Sequence, residues 1–266
     1  MTDIDLRFEP PVARIVLNRP GRRNAISRAM WLALPAICAA IEAREDSLAV
    51  LVEGEGGHFS AGADISEFGE VYRDAAATAN YTDAIQDGLK ALIALDRPTL
   101  AVVTGNCVGG GLGLALACDL RFCAADAFLA ITPAKLGLVY GHAETRRLVE
   151  LVGPARARDF LFSGRRIETE EALAIGLIDR RIETNVEDAA LSYVRDLAKL
   201  SQTSIRSAKR AVEAIASGLM VETPEYRALT EAAALGPDFA EGRAAFAGKR
   251  PPEFQARAGT RPFVVR

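Results

Sequence analysis

The chain has 266 residues, half of them apolar and a quarter charged, with a formal net charge of −3. This length allows one large core and excludes a small scaffold that needs disulfides or metals to fold, and the charge balance lacks the basic surplus of a nucleic-acid-binding protein. The longest apolar stretch, residues 108–118, is too short to cross a bilayer, so we expect a cytoplasmic protein with neither nucleic acid nor a membrane as its partner.

Short β-rich stretches alternate with helical stretches along the first two thirds of the chain, which predicts a layered α/β core. The predicted strands span residues 6–8, 13–17, 49–53, 100–104, 120–124 and 177–182. Apolar residues at helical spacing predict helices over 28–44, 75–95, 141–152, 187–200, 204–217, 224–235 and 238–247, with another that begins near Gly110 and one capped by Thr169. We therefore expect a core over residues 1–200 and a helical region over residues 201–266.

Two glycine-rich stretches follow predicted strands, HFSAGADI at 58–65 and TGNCVGGGLGLAL at 104–116. The second indicates a strand, a turn and a helix start, where free N–H groups suit an oxyanion or a phosphate. A dinucleotide-binding G-x-G-x-x-G is excluded because Leu114 occupies its last position, and no Walker A motif occurs. Two isolated histidines and unpaired cysteines predict no metal site.

Residues 105–109, GNCVG, match a nucleophile elbow with cysteine in place of serine. This match makes a hydrolase that uses Cys107 an alternative, with His142 as the one histidine that follows in the chain. The four cysteines form no C-x-x-C pair and favour buried free thiols in a reducing compartment.

Five motifs resemble the crotonase superfamily, the enoyl-CoA hydratase/isomerase family, in order and with ordinary spacing over residues 6–255. They are NRPGRRNAIS at 18–27, HFSAGADISEF at 58–68, GGGLGLALACDLRFCAADAFL at 109–129, TPAKLGL at 132–138 and SGRRIETEEALAIGLID at 163–179. The resemblance implies a repeated ββα spiral core and a helical C-terminal part that forms homotrimers or hexamers. It also implies an acyl-coenzyme A thioester as the substrate, with no separate cofactor.

In this family two backbone amides bind the thioester oxygen as it becomes an enolate, and the motifs assign these donors to Ala63 and Gly110. Removal of one such donor typically costs about 3 kcal/mol of transition-state stabilisation. The resemblance further implies that the nucleotide end of coenzyme A lies along the loop at 61–66. The contacts expected from it are Ala61, Asp64 and Ile65, with Arg22 and Arg23 near the phosphates.

The chain departs from the hydratases of the family at both catalytic glutamates. By motif these positions hold Gly113 and Pro133, and neither side chain transfers a proton. The run TPAKLGLVY at 132–140 is similar to methylmalonyl-CoA decarboxylase-like members, in which a tyrosine lies near the acyl group. This similarity predicts a decarboxylase-like reaction with Tyr140 as the acid.

His142 and Glu144 follow at the start of the predicted helix and complete the candidate catalytic groups. Some dehalogenases and dienoyl-CoA isomerases of the family place a catalytic aspartate at the position of Gly141. Glu144 either complements the positive end of the helix or takes part in catalysis, and His142 either lines the pocket or lies on the surface. A hydratase or isomerase with other acid–base groups and a non-catalytic acyl-CoA binder remain alternatives.

Overall fold

The computed structural model describes residues 2–254, in which strands and helices alternate as a mixed α/β fold. The strands of this range are β1 (Ile4–Glu9), β2 (Val12–Leu17), β3 (Ala49–Gly54), β4 (Thr99–Val103), β5 (Asn106–Val108), β6 (Leu120–Ala124), β7 (Phe128–Ala130), β8 (Arg166–Glu168) and β9 (Arg180–Ile182). The helices are α1 (Arg28–Glu42), α2 (Phe68–Val71), α3 (Ala75–Ile93), α4 (Gly110–Leu116), α5 (Pro133–Leu136), α6 (His142–Ser163), α7 (Thr169–Ala174), α8 (Val186–Leu197), α9 (Gln202–Ala216), α10 (Pro224–Ala234) and α11 (Pro237–Ala247).

Six strands form the main sheet in the order β1-β2-β3-β4-β6-β9. The β1–β2 pair is antiparallel and the other pairs are parallel. Alternate side chains point to opposite faces of a strand, so Ile15 and Val52 enter the large core that includes α1 and α3, while Leu51 and Phe122 pack towards α8. Burial of both faces explains why the central strands are apolar along their length.

A second, three-stranded sheet in the order β5-β7-β8 carries the glycine-rich turn. The strand β5 ends at Val108, directly before Gly109, and the amide of Gly109 donates to the carbonyl of Ala130 at the end of β7. This sheet therefore fixes the position at which α4 begins. These strands were not predicted from the sequence, because a three-residue run is too short to show a periodicity.

Several boundaries differ from the sequence-based prediction, and three of the differences have a visible structural reason. The stretch predicted as a strand over 177–182 pairs only over β9, because Leu177 is buried in the turn after α7. Thr169 is the first residue of α7 rather than its cap, and its hydroxyl donates to the carbonyl of Ala125. The helix α6 continues to Ser163 across a break at Gly153, where φ is 76°.

The C-terminal helices α9, α10 and α11 follow one another from Gln202 onwards. This start lies one residue after the start of the predicted helical region at residue 201. Several large apolar side chains on these helices and in the turns between them are exposed, among them Val212, Met220, Leu235 and Phe246. The last part of the predicted region, residues 255–266, lies outside the described residues, and the division at residue 200 stays a prediction. Across residues 2–254 every helix is too short or too polar to pass through a membrane.

Candidate active site

The amide of Ala63 is left free by the way its loop pairs with Ile26. The Ile26 amide donates to the carbonyl of Gly62 at 2.7 Å, and the Asp64 amide donates to the carbonyl of Ile26 at 3.0 Å. Gly62 has a φ of 98°, which residues with side chains rarely adopt. Because the neighbours on both sides make this pairing, the N–H of Ala63 points away from it.

A second free amide belongs to Gly110, the first residue of α4, whose N–H has no partner inside the helix. A Cβ built on Gly110 would lie 3.8 Å from the nitrogen of Ala63, and a Cβ built on Gly62 would lie 3.7 Å from the nitrogen of Gly110. Within the range that the structure describes, neither the Ala63 nor the Gly110 amide donates a hydrogen bond. Two free N–H groups so close together are suited to bind one oxygen atom that gains negative charge.

Ser60 anchors the loop that contains Ala63. Its hydroxyl donates to the carbonyl of Asn24 at 2.8 Å and accepts from the amide of Gly62 at 3.1 Å. Its backbone pairs with the strand β5, since the amide donates to the carbonyl of Asn106 at 2.9 Å. Both sides of the amide pair are thus tied to the second sheet.

The two amides open into a cleft with a cavity volume of about 150 Å³. Side chains from α1 and α3 form one wall, and the segment 132–141 with the start of α6 forms the other. Among the described residues that line it, Glu144 is the single carboxylate and none is Lys, Arg or His. A larger depression of about 780 Å³ on α11 is lined by that helix alone and encloses no such site.

The carboxylate of Glu144 lies in space that two glycines leave open. Glu144 is 7% exposed in the first turn of α6 and accepts a hydrogen bond from Nε2 of Gln86 at 3.2 Å. A Cβ built on Gly113 would lie 3.1 Å from Cγ of Glu144, and one built on Gly141 would lie 2.7 Å from its Cδ. Glu144 therefore reaches the volume that side chains at positions 113 and 141 would occupy.

The hydroxyl of Tyr140 supports the second amide and also lies 3.3 Å from a Cβ built on Gly113. It donates to the carbonyl of Gly109 at 3.2 Å, and that carbonyl belongs to the peptide group whose N–H is the Gly110 amide. Burial raises the pKa of Tyr140 well above its usual value, and the nearby charge of Glu144 raises it further. The phenol therefore keeps its proton, and its hydrogen bond polarises and orients this peptide group.

His142 lies outside the cleft. It is exposed at the first position of α6 and does not line the cavity. Two residues along a helix correspond to about 200° of rotation, so His142 and Glu144 point in nearly opposite directions. We do not retain His142 among the catalytic candidates.

The expected coenzyme A loop divides into contact and support residues. Ala61 and Ile65 line the cleft, but Asp64 is buried beneath it and pairs with Arg19 at 2.8 Å and Arg22 at 3.1 Å. Burial acts to raise the pKa of Asp64, yet hydrogen bonds from Ser66 and Arg19 outweigh it and lower the pKa to about 2. Asp64 thus anchors the loop instead of facing a ligand.

The two arginines predicted to meet phosphates are both exposed. Arg22 uses part of its guanidinium on Asp64 and Ser66. Arg23 has a φ of 48°, and its carbonyl accepts from the amide of Ala61 at 2.8 Å. Arg19, which the sequence analysis missed, is the more buried partner of Asp64. The motif NRPGRR contains all three, so sequence alone gave no reason to separate them.

The structure contradicts the Cys107 hydrolase. Cys107 is fully buried in the middle of β5, and burial raises the pKa of its thiol well above the usual value. A nucleophilic cysteine has to be accessible and readily deprotonated. The other three cysteines are buried free thiols as well, as expected. No group of three or more His, Cys, Asp or Glu residues in the described part of the chain is arranged to hold a metal ion.

Comparison with known proteins identifies the family, since the sequence model of the enoyl-CoA hydratase/isomerase family matches residues 7–257. The chain belongs to this family. It is 34% identical over 247 residues to a protein of Mycobacterium bovis named probable enoyl-CoA hydratase, with 92% of this chain and 96% of that protein covered. It is 32% identical to mouse mitochondrial methylglutaconyl-CoA hydratase, with 90% of this chain and 78% of that protein covered.

The crystal structure of an enoyl-CoA hydratase/isomerase family protein from Hyphomonas neptunium superimposes with a TM-score of 0.93 at 41% identity, covering 96% of this chain and 98% of that one. The predicted fold class is thereby confirmed. As an enoyl-CoA hydratase/isomerase family enzyme, the protein acts on coenzyme A thioesters. At the positions that the resemblance assigns to the two hydratase glutamates, Gly113 has no side chain and Pro133 lines the cleft without a group that transfers a proton.

Proposed function

We propose that this family member shifts a double bond in an enoyl-CoA thioester, with Glu144 as the single group that removes and returns the proton. The observation that carries the proposal is the position of the Glu144 carboxylate, next to the Cβ positions of Gly113 and Gly141. The resemblance implies that the first position holds a glutamate in hydratases and the second an aspartate in some dienoyl-CoA isomerases. Glu144 supplies a carboxylate to the same volume from the next helix.

The proposed reaction begins with the thioester oxygen bound by the amides of Ala63 and Gly110. Glu144 accepts a proton from an acyl carbon next to the double bond, and the electron pair moves into the conjugated system as the thioester oxygen gains charge. The two amides stabilise this dienolate. Glu144 then returns the proton to a different carbon, which completes the shift without a net gain or loss of atoms.

A single carboxylate suffices for this chemistry because the group that takes the proton also gives it back. Hydration needs a second group to activate water, and Gly113 and Pro133 do not provide one. Tyr140 does not replace it, because its proton is engaged with the Gly109 carbonyl. An isomerase therefore fits the available groups better than a two-glutamate hydratase.

Decarboxylation of a malonyl-type thioester, which TPAKLGLVY suggested, is the second candidate. The buried, protonated phenol of Tyr140 near the site favours it, because the reaction needs an acid to reprotonate carbon. Against it, a substrate carboxylate would enter a cleft whose described lining contains Glu144 and no cation. Two carboxylates in one buried site repel each other unless one is protonated.

The proposal is tested with Glu144→Gln, which keeps the size and the hydrogen bond to Gln86 but removes the base. We expect the conversion of 3-enoyl-CoA to 2-enoyl-CoA, followed by the absorbance of the conjugated thioester, to fall about 10²- to 10⁴-fold. The matched control is Glu150→Gln, an exposed carboxylate on the same helix, for which we expect unchanged turnover.

The same enzyme preparations are assayed for hydration of crotonyl-CoA and for release of carbon dioxide from malonyl-type thioesters. Unchanged isomerisation by Glu144→Gln would refute the role of Glu144. Decarboxylation that is faster than isomerisation would establish the second candidate instead. Tight binding of acyl-CoA without turnover of any of these substrates would show a non-catalytic binder.

Homotrimer or hexamer assembly and a cytoplasmic location also belong to this proposal. The exposed apolar side chains of the C-terminal helices, such as Leu235 and Phe246, support assembly because exposed apolar patches commonly mark contact surfaces. Arg22 and Arg23 remain the candidates for the phosphates of coenzyme A, and both are exposed beside the loop whose Ala61 lines the cleft.

A further inference from the structure

Besides Tyr140, the described lining of the cleft contains three aromatic side chains that each carry a polar hydrogen. Trp31 is 1% exposed and Tyr81 is 3% exposed, and both line the cleft together with Tyr72. The rings of Tyr72 and Tyr81 meet edge to face with their centres 5.6 Å apart. We call Trp31, Tyr72 and Tyr81 the aromatic donor cluster.

The cluster lies immediately beside the amide pair. Atom Cζ2 of Trp31 would be 3.4 Å from a Cβ built on Gly110. A thioester whose oxygen is bound at Gly110 would therefore bring its first few acyl carbons past the cluster. The groups of this cluster would meet the acyl chain rather than the coenzyme.

Among the described residues the polar hydrogens of the cluster meet no strong acceptor, since the indole N–H of Trp31 has only the hydroxyl of Tyr81 beside it. Within residues 2–254, Nε1 of Trp31 is buried without a hydrogen-bond partner. The indole N–H is next to the Tyr81 hydroxyl and opposes the rise in the pKa of Tyr81, which is caused mainly by burial and further by Tyr72. Tyr81 therefore keeps its proton and can donate it.

A buried donor that lacks a partner is costly, whereas an aromatic ring without the polar group would fill the same space. Tryptophan and tyrosine in such positions usually find a hydrogen-bond partner. The indole N–H of Trp31 is enclosed and directed at the Tyr81 hydroxyl. An acceptor in the ligand for the hydroxyls of Tyr81 and Tyr72 would explain why tyrosines line the cleft where phenylalanine would be sufficient for packing.

The charges around the cluster determine what kind of oxygen fits. Glu67 and Asp64 both act to raise the pKa of Tyr81, and Glu144 lines the same cleft. The cations Arg19 and Arg22 are engaged with Asp64 outside the described cleft lining. A ligand carboxylate would thus meet negative charge without a compensating cation, whereas a neutral oxygen accepts hydrogen bonds without that repulsion.

We propose that the aromatic donor cluster binds a neutral oxygen on the acyl group, so that the protein selects short acyl-CoA thioesters with a keto or hydroxyl group over plain alkyl thioesters. The inference rests on the proposed function only in taking an acyl-CoA thioester as the ligand. It does not depend on which bond the enzyme rearranges.

The test is the binding of two saturated thioesters, 4-oxopentanoyl-CoA and pentanoyl-CoA, measured by titration calorimetry. We expect the wild-type protein to bind the keto compound about tenfold more tightly. Tyr81→Phe and Tyr72→Phe each remove a hydroxyl and keep the ring. We expect the ratio of the dissociation constant of pentanoyl-CoA to that of 4-oxopentanoyl-CoA to fall to about three or less in Tyr81→Phe. In the double variant we expect this ratio to fall to about one. The control is Tyr193→Phe, whose ring packs against Phe122 away from the cleft, and it should keep the wild-type ratio.

Equal binding of both thioesters by the wild-type protein, or a ratio that is the same in the double variant, would overturn this inference alone. Failure of both thioesters to bind would overturn it together with the proposed function. The two failures are therefore distinguishable in one set of titrations.

Discussion

Two neighbouring glycines, Gly110 and Gly111, are expected to fail in different ways when each is replaced by alanine. A Cβ built on Gly111 would lie 2.6 Å from Cβ, 2.8 Å from Oγ and 3.1 Å from the carbonyl oxygen of Ser60. Ser60 is fully buried and paired with β5 through its backbone, so it has no room to withdraw. Overpacking of a buried site costs about 1–3 kcal/mol.

Alanine also has the better helix propensity, by about 1 kcal/mol in a helix interior. The contact with Ser60 involves backbone and a short side chain, so the upper half of the overpacking range applies. For Gly111→Ala the clash outweighs the propensity gain, and we expect a net loss of about 1–2 kcal/mol in the free energy of unfolding.

Gly110→Ala meets more space, because its Cβ would lie 3.4 Å from Cζ2 of Trp31, and we expect its stability to change by less than about 1 kcal/mol. The added methyl group would, however, lie 3.8 Å from the nitrogen of Ala63, beside the place of the thioester oxygen. Loss of one hydrogen bond to the oxyanion corresponds to about 3 kcal/mol, or a 10²- to 10³-fold lower turnover.

Urea denaturation measures the first effect, and steady-state turnover of an enoyl-CoA substrate by the folded variants measures the second. Gly111→Ala should lower the urea midpoint more than Gly110→Ala does. Gly110→Ala should remain folded and lose activity. Wild-type turnover in Gly110→Ala would refute the two-amide site. Wild-type stability in Gly111→Ala would refute the steric argument about Ser60.

Two further predictions concern the supports of this site. Tyr140→Phe removes the hydrogen bond to the Gly109 carbonyl, and a neutral hydrogen bond contributes about 1 kcal/mol. We therefore expect a turnover about fivefold lower, with a smaller change in the dissociation constant of a saturated acyl-CoA. Unchanged turnover would remove Tyr140 from the mechanism. Asp64 has a pKa of about 2 in the folded protein, so its stabilisation of about 2 kcal/mol is present above pH 4 and is lost as the pH falls towards 2. Asp64→Asn should be less stable than wild type in thermal melts at pH 7, and the difference should shrink at pH 2; a constant difference would contradict the assignment.

The sequence was sufficient where a local pattern determines the structure. The strands β2, β3 and β6 contain apolar runs that need burial on both faces, and their predicted ranges agree with the observed ones to within one residue. The family motifs also led to the prediction that the amides of Ala63 and Gly110 act together, and the structure brings these two residues close to each other. The predicted helix over 141–152 ends where α6 breaks at Gly153 and Pro154.

The sequence was insufficient where distant segments meet. Arg19 and Asp64 form a buried ion pair across 45 positions of the chain, and no periodicity indicates which of several nearby arginines takes that place. Glu144 presents the same difficulty, because its dipole-complementing position at the start of a helix is ordinary. Only the packing of α6 beside α4 brings its carboxylate next to Gly113.

Gly113 and Gly141 are therefore more than the absence of catalytic side chains. A glutamate at position 113 would have to share its volume with Glu144, and two carboxylates so close together would raise the pKa of one of them. A side chain at position 141 would overlap the Glu144 carboxylate where it now lies, so the carboxylate would have to move away. The observed position of the Glu144 side chain thus depends on glycine at both positions, and the proposed use of this glutamate depends on the absence of carboxylates from them.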